Sequence, residues 1–473
     1  MPLVVAALAI VVAAVVIFLL LLRERPLAAT TMKKKRVPPP RELVMDLAAD
    51  ERRGLEMSDA LARINHSRFP TVRMWRAERL ARAASRLGWK VDVRAVDGSL
   101  VMAMASRQSP SPRLDVESFS DARRALASGG VLTLTPPSPL ITGLTTAPPA
   151  VTCRASLLSW TPPPANTLAS DKRACTRWLR GHGIPVPRNA VVCLDVKAVR
   201  ARLGIGAASR YVLALLADHV DVCNLVNARP TDGVTTSDAA IVVVKPLSGT
   251  GGNHVTTDVS GMERLAYVLA RSCRLSGVAC WIVEEQLTGR SHRTLVACPP
   301  SGAPPRIVCM CERLPPVVVG NGVDSVAHLL AADARQRTPW HPHVKHADVA
   351  WMKDHGADPQ TCVPAVGQIV RVRAATNWGQ GGAHWRIDPT TGVHPSGVAV
   401  LCRAASCLPG RPFLVAIDSM GDMAVPFDHP GGPVVHEIEL QSGIDDIPGG
   451  CDWVPVDESR LFDAILLAYV QEA

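Results

Sequence analysis

The stretch "VVVKPLSGTGGN", residues 242–253, joins a β-branched run to a glycine-rich loop through a single cation, Lys245. An unbroken run of β-branched residues reads as a buried strand. Ser248, Gly249, Thr250, Gly251 and Gly252 then supply a loop whose backbone N–H groups can approach an anion with no Cβ in the way. A strand delivering an ammonium to such a loop suits a polyphosphate. The competing reading is a surface lysine ahead of an ordinary turn, and the rest of the chain decides between them.

Working outward, "LASDKRACTRWLRGHGIPVPRNAVV" (168–192) predicts a helix capped by Ser170 or Asp171, running to about Arg180 and ended by Gly181 or Gly183. Pro185 and Pro187 force an extended exit into a strand at Val191. A helix follows near 196–203, then the Lys245 strand, a helix near 261–275 and the strand "ACWIVEEQL". Strands and helices by turns give a mixed α+β architecture with helices packed on sheets. Upstream, 73–87 has helical spacing closed by Gly88, and "WKVDVRAVDGSLVMAMA" alternates like a hairpin turning at Asp97 and Gly98. That region is a small α/β unit. Residues 109–165 are rich in Pro and Ser and receive no assignment.

With 473 residues, 47% of them hydrophobic, the chain can bury a sizeable core and is not a disordered protein. The formal charge of +9 raises nucleic-acid binding, but aromatics make up only 4% and there is neither zinc-finger spacing nor a basic helix with stacking residues. Part of the excess sits in "MKKKR", 32–36, directly after an uncharged apolar run at 3–22 that is long enough to cross a bilayer. No basic segment precedes the run and no small-residue cleavage site precedes Arg23, so it reads as an uncleaved transmembrane anchor, residues 1–22. Arg23, Arg25 and the lysine cluster all follow it, which places the C-terminal bulk in the cytosol. A basic, proline-rich linker covers 23–40, a small α/β region 41–164, and the main domain 165–473. Thirteen cysteines, an odd number with no CxxC pair, suit a reducing compartment. Cys309 and Cys311 lie two apart on a predicted strand and read as core.

Acids collect downstream of the lysine loop. The apolar strand in "WIVEEQLTGRSHRTLVA" stops at Glu284 and Glu285, Asp418 follows an apolar strand in "FLVAIDSMGDMAVPF", and "VVHEIELQSGI" sets Glu437 and Glu439 two apart on one strand face. Alone, each acid reads as a surface group. Converging, three carboxylates would bind Mg²⁺ through hard oxygens and bridge nucleotide phosphates.

The span from about Leu168 to Ile444 resembles an ATP-grasp ligase, in particular the ATP-grasp half of cyanophycin synthetase. The similar features are "SDK" with "GIPVP", "VVKPLSG", "VEEQLTGRSHR", "ERLPPVVVGNG", "VHP", and "ID" followed by "EIE". The resemblance implies an ATP-grasp fold of two α/β subdomains clamping a nucleotide. It also implies ATP-dependent ligation of a carboxylate to an amine through an acyl phosphate, with ATP and Mg²⁺ as cofactors. The substrates are then a small-molecule or peptide carboxylate and an amino acid-like amine. By that resemblance Lys172 and Lys245 hold phosphates under the loop of Ser248, Gly249, Gly251 and Gly252. Glu284, Glu285 and Leu287 belong to the adenine hinge, and Ser291 stands at the ribose. Arg373 is the catalytic residue steadying the acyl phosphate, and Asp418, Glu437 and Glu439 carry the metal. His292, Arg293, Asn377, Gly381 and Gly382 surround the carboxylate substrate.

The departures are specific. Ser291 replaces an acid at the ribose position, Glu439 replaces an Asn, and "GQGG" (379–382) replaces "STGG". No GxxxxGK[ST] loop occurs, so a second, Mur-ligase-like ATPase site is not expected in this chain. A catalytically degenerate module, binding nucleotide or peptide as a scaffold at a membrane, is the alternative reading. Nucleic-acid binding is a third, and it predicts affinity that falls steeply with salt.

Overall fold

The computed structural model describes residues 36–56, 75–94, 100–104, 131–136, 150–154, 157–158, 161–227, 240–249, 252–333, 348–377, 380–440 and 459–470. The expected anchor at 3–22 and the expected hairpin turn at Asp97 and Gly98 lie outside them. Among the described residues no helix is long and apolar enough to cross a membrane.

After β1 (Val44–Met45) and a helical segment at 49–56, the N-terminal unit begins with α1 (Trp75–Arg86). Gly88 follows it at φ 78°, a left-handed turn that suits glycine. The strands β2 (Lys90–Arg94) and β3 (Leu100–Met104) pair antiparallel as the alternation predicts. They continue into β4 (Val131–Thr135), β5 (Val151–Arg154) and β6 (Leu157–Leu158), in the order β3-β2-β4-β5-β6. The Pro- and Ser-rich stretch thus supplies three strands and then α2 (Pro163–Ser170).

Next comes α3 (Lys172–Gly181), where the Asp171 carboxylate accepts from the Ala174 N–H, and Gly183 lies at φ 69°. A second antiparallel sheet, β7-β10-β8-β9, is built from β7 (Asn189–Cys193), β8 (Ile241–Pro246), β9 (Thr256–Ser260) and β10 (Cys280–Glu285). It packs on α4 (Val196–Ala201), α5 (Gly204–Ala217), α6 (Val220–Val226) and α7 (Met262–Ser276) around a core that includes Val244, Leu269 and Trp281. Cys193 and Cys280, cross-strand partners on β7 and β10, form a disulfide. Reading cysteines from composition gave free thiols; strand pairing, which local sequence does not encode, sets these two opposite each other.

The hairpin β11 (Ser291–Ala297) and β12 (Arg306–Leu314) starts the central sheet. The chain then makes β13 (Val317–Val319), α8 (Val326–Ala332), α9 (Val349–Asp354) and β14 (Ile369–Arg371), with β1 completing a small sheet in the order β1-β14-β13. It returns as β15 (Ala383–Arg386), α10 (Pro395–Ser406), β16 (Leu414–Met420) and β17 (Val434–Glu439) to give the five-stranded order β15-β12-β11-β16-β17. One face of this sheet packs on α2, α3 and α10. Part of the other face, with Leu295, Cys309, Cys311 and Phe413, packs on α1, β2, β4 and α11 (Ser459–Tyr469). Cys309 and Cys311 point the same way, with sulfurs 3.9 Å apart, inside that core as expected.

Chain order and spatial grouping part company at both ends. Residues 44–45 extend a sheet of the main domain, and α11 packs against α1 of the N-terminal unit.

Candidate active site

A cavity of about 400 Å³ lies where the second sheet, the small sheet and the central sheet meet, a size typical of small-molecule sites. Lys172, Lys245, Glu284, Asp418 and Glu437 all line it, although 265 positions separate the first from the last (437 − 172). The surface-turn reading of Lys245 therefore fails: this lysine is 7% exposed and faces an internal cavity.

Each side chain is placed by its element. Val243 opposes Glu284 across β8 and β10, so Lys245, two residues on, shares Glu284's face. The Lys245 ammonium lies 2.7 Å from Glu284 Oε1, with both side chains buried. Burial works against the Lys245 charge, but Glu284, Glu437 and Asp418 outweigh it and hold the ammonium above its ordinary pKa. Burial raises the Glu284 carboxyl, against the pull of Lys245. Among the described residues Glu284 Oε2 has no hydrogen-bond partner, an acceptor left open in the cavity wall.

Lys172, at the first turn of α3, reaches Glu437 at 2.9 Å and donates to the Gly249 carbonyl at 2.8 Å. It thereby ties the glycine loop to the central sheet. Farther along that loop, Gly252 lies at φ 70°, and a Cβ there would run into the Asn377 side-chain oxygen and, at 2.9 Å, the Ala375 methyl. Glycine is therefore needed twice over at this position, for its φ and for the close approach. Gly251 lies outside the described residues. The hinge residues Glu285, Gln286 and Leu287 line the cavity. Gln286 is locked by reciprocal bonds to Asp258, accepting from its N–H at 2.7 Å and donating to its carboxylate at 2.8 Å.

The three expected metal ligands separate. Asp418 and Glu437 are cross-strand partners at the cavity floor, but Asp418 is gripped by Arg293 at 2.8 and 3.0 Å and by Arg313 at 3.1 Å. Burial disfavours the Asp418 charge, yet these two guanidiniums hold its carboxyl far below the usual range. Glu437 is also lowered, because Lys172 and Lys245 overcome its burial. Glu439 does not line the cavity; it accepts from Arg293 at 2.6 Å. Among the described residues no cluster of three or more His, Cys, Asp or Glu side chains is disposed to hold a metal. Mg²⁺ needs no such cage, since it keeps waters and typically uses one or two carboxylates together with substrate phosphates. Asp418 and Glu437 offer hard oxygens of that kind, and they fit a Mg²⁺ carried in on a triphosphate.

Several substrate candidates fall elsewhere. His292 alternates to the far face of the sheet, opposite Glu312, and its imidazole is pushed down to about 3 by burial and by Arg313. Arg293 lies beneath Asp418 as its counter-ion. Asn377 lines the cavity, whereas Gly381 and Gly382 do not. A Cβ on Gly382 would meet the carbonyls of Thr376 and, at 2.8 Å, Leu314, which explains that glycine by close packing. Arg373 stands behind the cavity wall, donating to Gln380 at 3.0 Å, and Gln380 in turn bonds Asn253 at 3.2 Å. Among the described residues the Arg373 Nε has no hydrogen-bond partner. Ser291 lines the cavity, 3.3 Å from the Thr376 hydroxyl.

Residues that the sequence did not single out also line the cavity: Arg313, Arg371, Met420 and His436. Met420 could have been found from strand alternation with Asp418, whereas Arg313 is set beside Ser291 by the pairing of β11 with β12. His436 could not. The β16–β17 register shifts so that Asp418 opposes Glu437 while Ser419 opposes Val435. This bulge leaves His436 as the extra residue and turns it to the same side as Glu437. Burial and the Lys245 charge push its imidazole down to about 4.

Curated relatives meet the resemblance read from the motifs. The likeness is to cyanophycin synthetase. The enzyme of that name from Nostoc sp. (strain PCC 7120 / SAG 25.82 / UTEX 2576) is 28% identical over 241 residues, covering 49% of this chain and 22% of its own. That from Geminocystis herdmanii (strain PCC 6308) is 26% identical over 256 residues, 51% and 24% of the two chains. The match thus spans less than a quarter of these relatives' length. No family model matches. Solved structures are more distant: a bifunctional glutathione synthetase from Pasteurella multocida has 19% identity and TM-score 0.36, covering 66% of this chain and 37% of its own. A D-alanine–D-alanine ligase from Bacillus anthracis has 12% identity and TM-score 0.35, covering 64% and 68%.

Proposed function

We propose that this chain is an ATP-dependent carboxylate–amine ligase, joining an acid to an amino acid-like amine through an acyl phosphate. The observation that carries the reading is the single cavity in which Lys172, Lys245, Asp418 and Glu437 converge beside the glycine loop. Phosphoryl transfer depends on positioning and charge neutralisation rather than on a protein nucleophile, and this cavity provides both. Lys172 and Lys245 hold phosphate oxygens, and the 248–252 loop, already tied to Lys172, covers them. Glu285 and Leu287 face the base. Asp418 and Glu437 would hold Mg²⁺, which would neutralise phosphate charge, and Lys172 on meeting phosphate would give up its pairing with Glu437. Arg313, whose Nε has no hydrogen-bond partner among the described residues, steadies the carboxylate, and Arg373 supports the loop from behind.

The apolar run at 3–22 followed by "MKKKR" supports a single-pass anchor with the ligase domain facing the cytosol. A second reading, a nucleotide-binding scaffold without turnover, draws on the pairing of Asp418 and Glu439 with Arg293. ADP release from ATP and Mg²⁺ by the detergent-solubilised full chain, with pooled acids and amino acids, separates the two. Release that requires both an acid and an amine supports ligation; tight ATP binding with no release for any pair establishes the scaffold.

A further inference from the structure

The cavity lining is of two kinds. Lys172, Arg313, Asp418 and Glu437 bring charge to it, while Val243, Val255, Leu287 and Met420 are apolar. A nucleotide sets its phosphates against the charged groups and its base against the apolar ones. The sugar must cross the boundary, and its two hydroxyls need polar partners there. On the resemblance, the residue at this boundary is Ser291, whose short hydroxyl already sits 3.3 Å from Thr376 Oγ1. Ser291 opposes Met420 on the next strand, and β17 lies one strand farther on. Met420 in turn pairs with Val434 and Asp418 with Glu437, so His436 stands between these two rows, two strands over and two residues along from Ser291, about 12 Å away. A sugar and an imidazole together span that distance.

The bulge gives His436 its position, since regular pairing would send it to the far side of the sheet from Glu437. Among the described residues no group hydrogen-bonds its ring, so its two ring nitrogens can meet a ligand in the cavity. The geometry points to His436 as a specificity residue that binds a ribose hydroxyl of the nucleotide, taking over the contact that Ser291 is too short to make. This rests on the ATP-dependent reading above and adds to it how the sugar is recognised.

Isothermal titration of the full chain with ATP, 2′-deoxy-ATP and 3′-deoxy-ATP, each with Mg²⁺, tests the assignment. Wild type binds one deoxy analogue roughly five- to ten-fold more weakly than ATP, the size of one neutral hydrogen bond. In His436→Leu, ATP affinity falls by about the same factor and the preference over that analogue disappears. A wild type that binds all three alike, or a His436→Leu variant that keeps the full preference, overturns the assignment while leaving the ligase reading intact. If the leucine variant does not fold, His436→Asn and His436→Ala decide by the same ratio: preference kept in Asn and lost in Ala supports the contact, and equal ratios refute it. A wild type that binds no ATP at all sinks both readings.

Discussion

Replacing Lys245 with methionine separates the structural from the ligand-binding work of the buried pair. Lys245 and Glu284 are 7% and 4% exposed and 2.7 Å apart, and among the described residues Glu284 Oε2 already lacks a partner. Lys245→Met leaves a buried carboxylate with no cation bonded to it. Breaking a buried pair from one side costs about 3–5 kcal/mol. For a domain of 150–250 residues, that lowers the melting temperature by on the order of 10 °C. The deficit depends on pH with a definite sign. Burial holds the folded Glu284 pKa above its unfolded value, and loss of the ammonium raises it further. The folded variant therefore binds more protons than the unfolded chain between those two values, and its stability falls as pH rises through that window. Adding Glu284→Gln removes the charge and restores most of the stability without restoring ATP affinity, because the phosphate-binding ammonium is still missing. Urea denaturation followed by circular dichroism, with ATP titration alongside, reads both quantities. Should Lys245→Met lie within about 1 kcal/mol of wild type, or the double variant be no more stable than the single, the buried-pair reasoning is wrong.

Four further substitutions have separable outcomes. Gly252→Ala places a Cβ against Asn377 in a φ 70° conformation, so the loop must move away; ATP affinity drops roughly ten-fold or more by titration, while urea stability changes by less than about 1 kcal/mol, as expected for a loop position. Asp418→Asn removes a full negative charge between buried Arg293 and Arg313 and destabilises by about 3–5 kcal/mol in denaturant. Because the Asp418 pKa is lowered on folding, its contribution is fully present above the ordinary carboxylate value, begins to fall as pH drops below it, and is gone only below the lowered folded value; acid-unfolding curves of wild type are accordingly steeper than those of the variant. Glu437→Gln raises the Mg²⁺ concentration needed for half-maximal ADP release several-fold, and Glu439→Gln does so much less, since Glu439 serves Arg293 outside the cavity. Equal shifts for the two would return Glu439 to the metal set.

Elements with a local chemical signature were legible in the chain. The Asp171 cap, the turn at Gly88, the β-branched run before Lys245 and the acids closing their strands all follow from preferences of a few neighbouring residues. Local order also marked Lys245, Glu284 and Asp418 as charges closing apolar runs and Glu437 as one on a strand face, where a site could assemble. The convergence of Lys172 with Glu437 depended on recognising family motifs, because no periodicity links positions so far apart.

Tertiary structure alone decided which of these groups share partners. That Arg293 neutralises Asp418 and Glu439, that Cys193 meets Cys280, and that His292 turns away from the cavity are consequences of strand register. Register is fixed by pairings between distant strands, and a shift of one residue reverses every side chain. The bulge at His436 shows this most directly: the sequence determined that an imidazole precedes Glu437, and only the offset pairing of β16 with β17 turned both to one side.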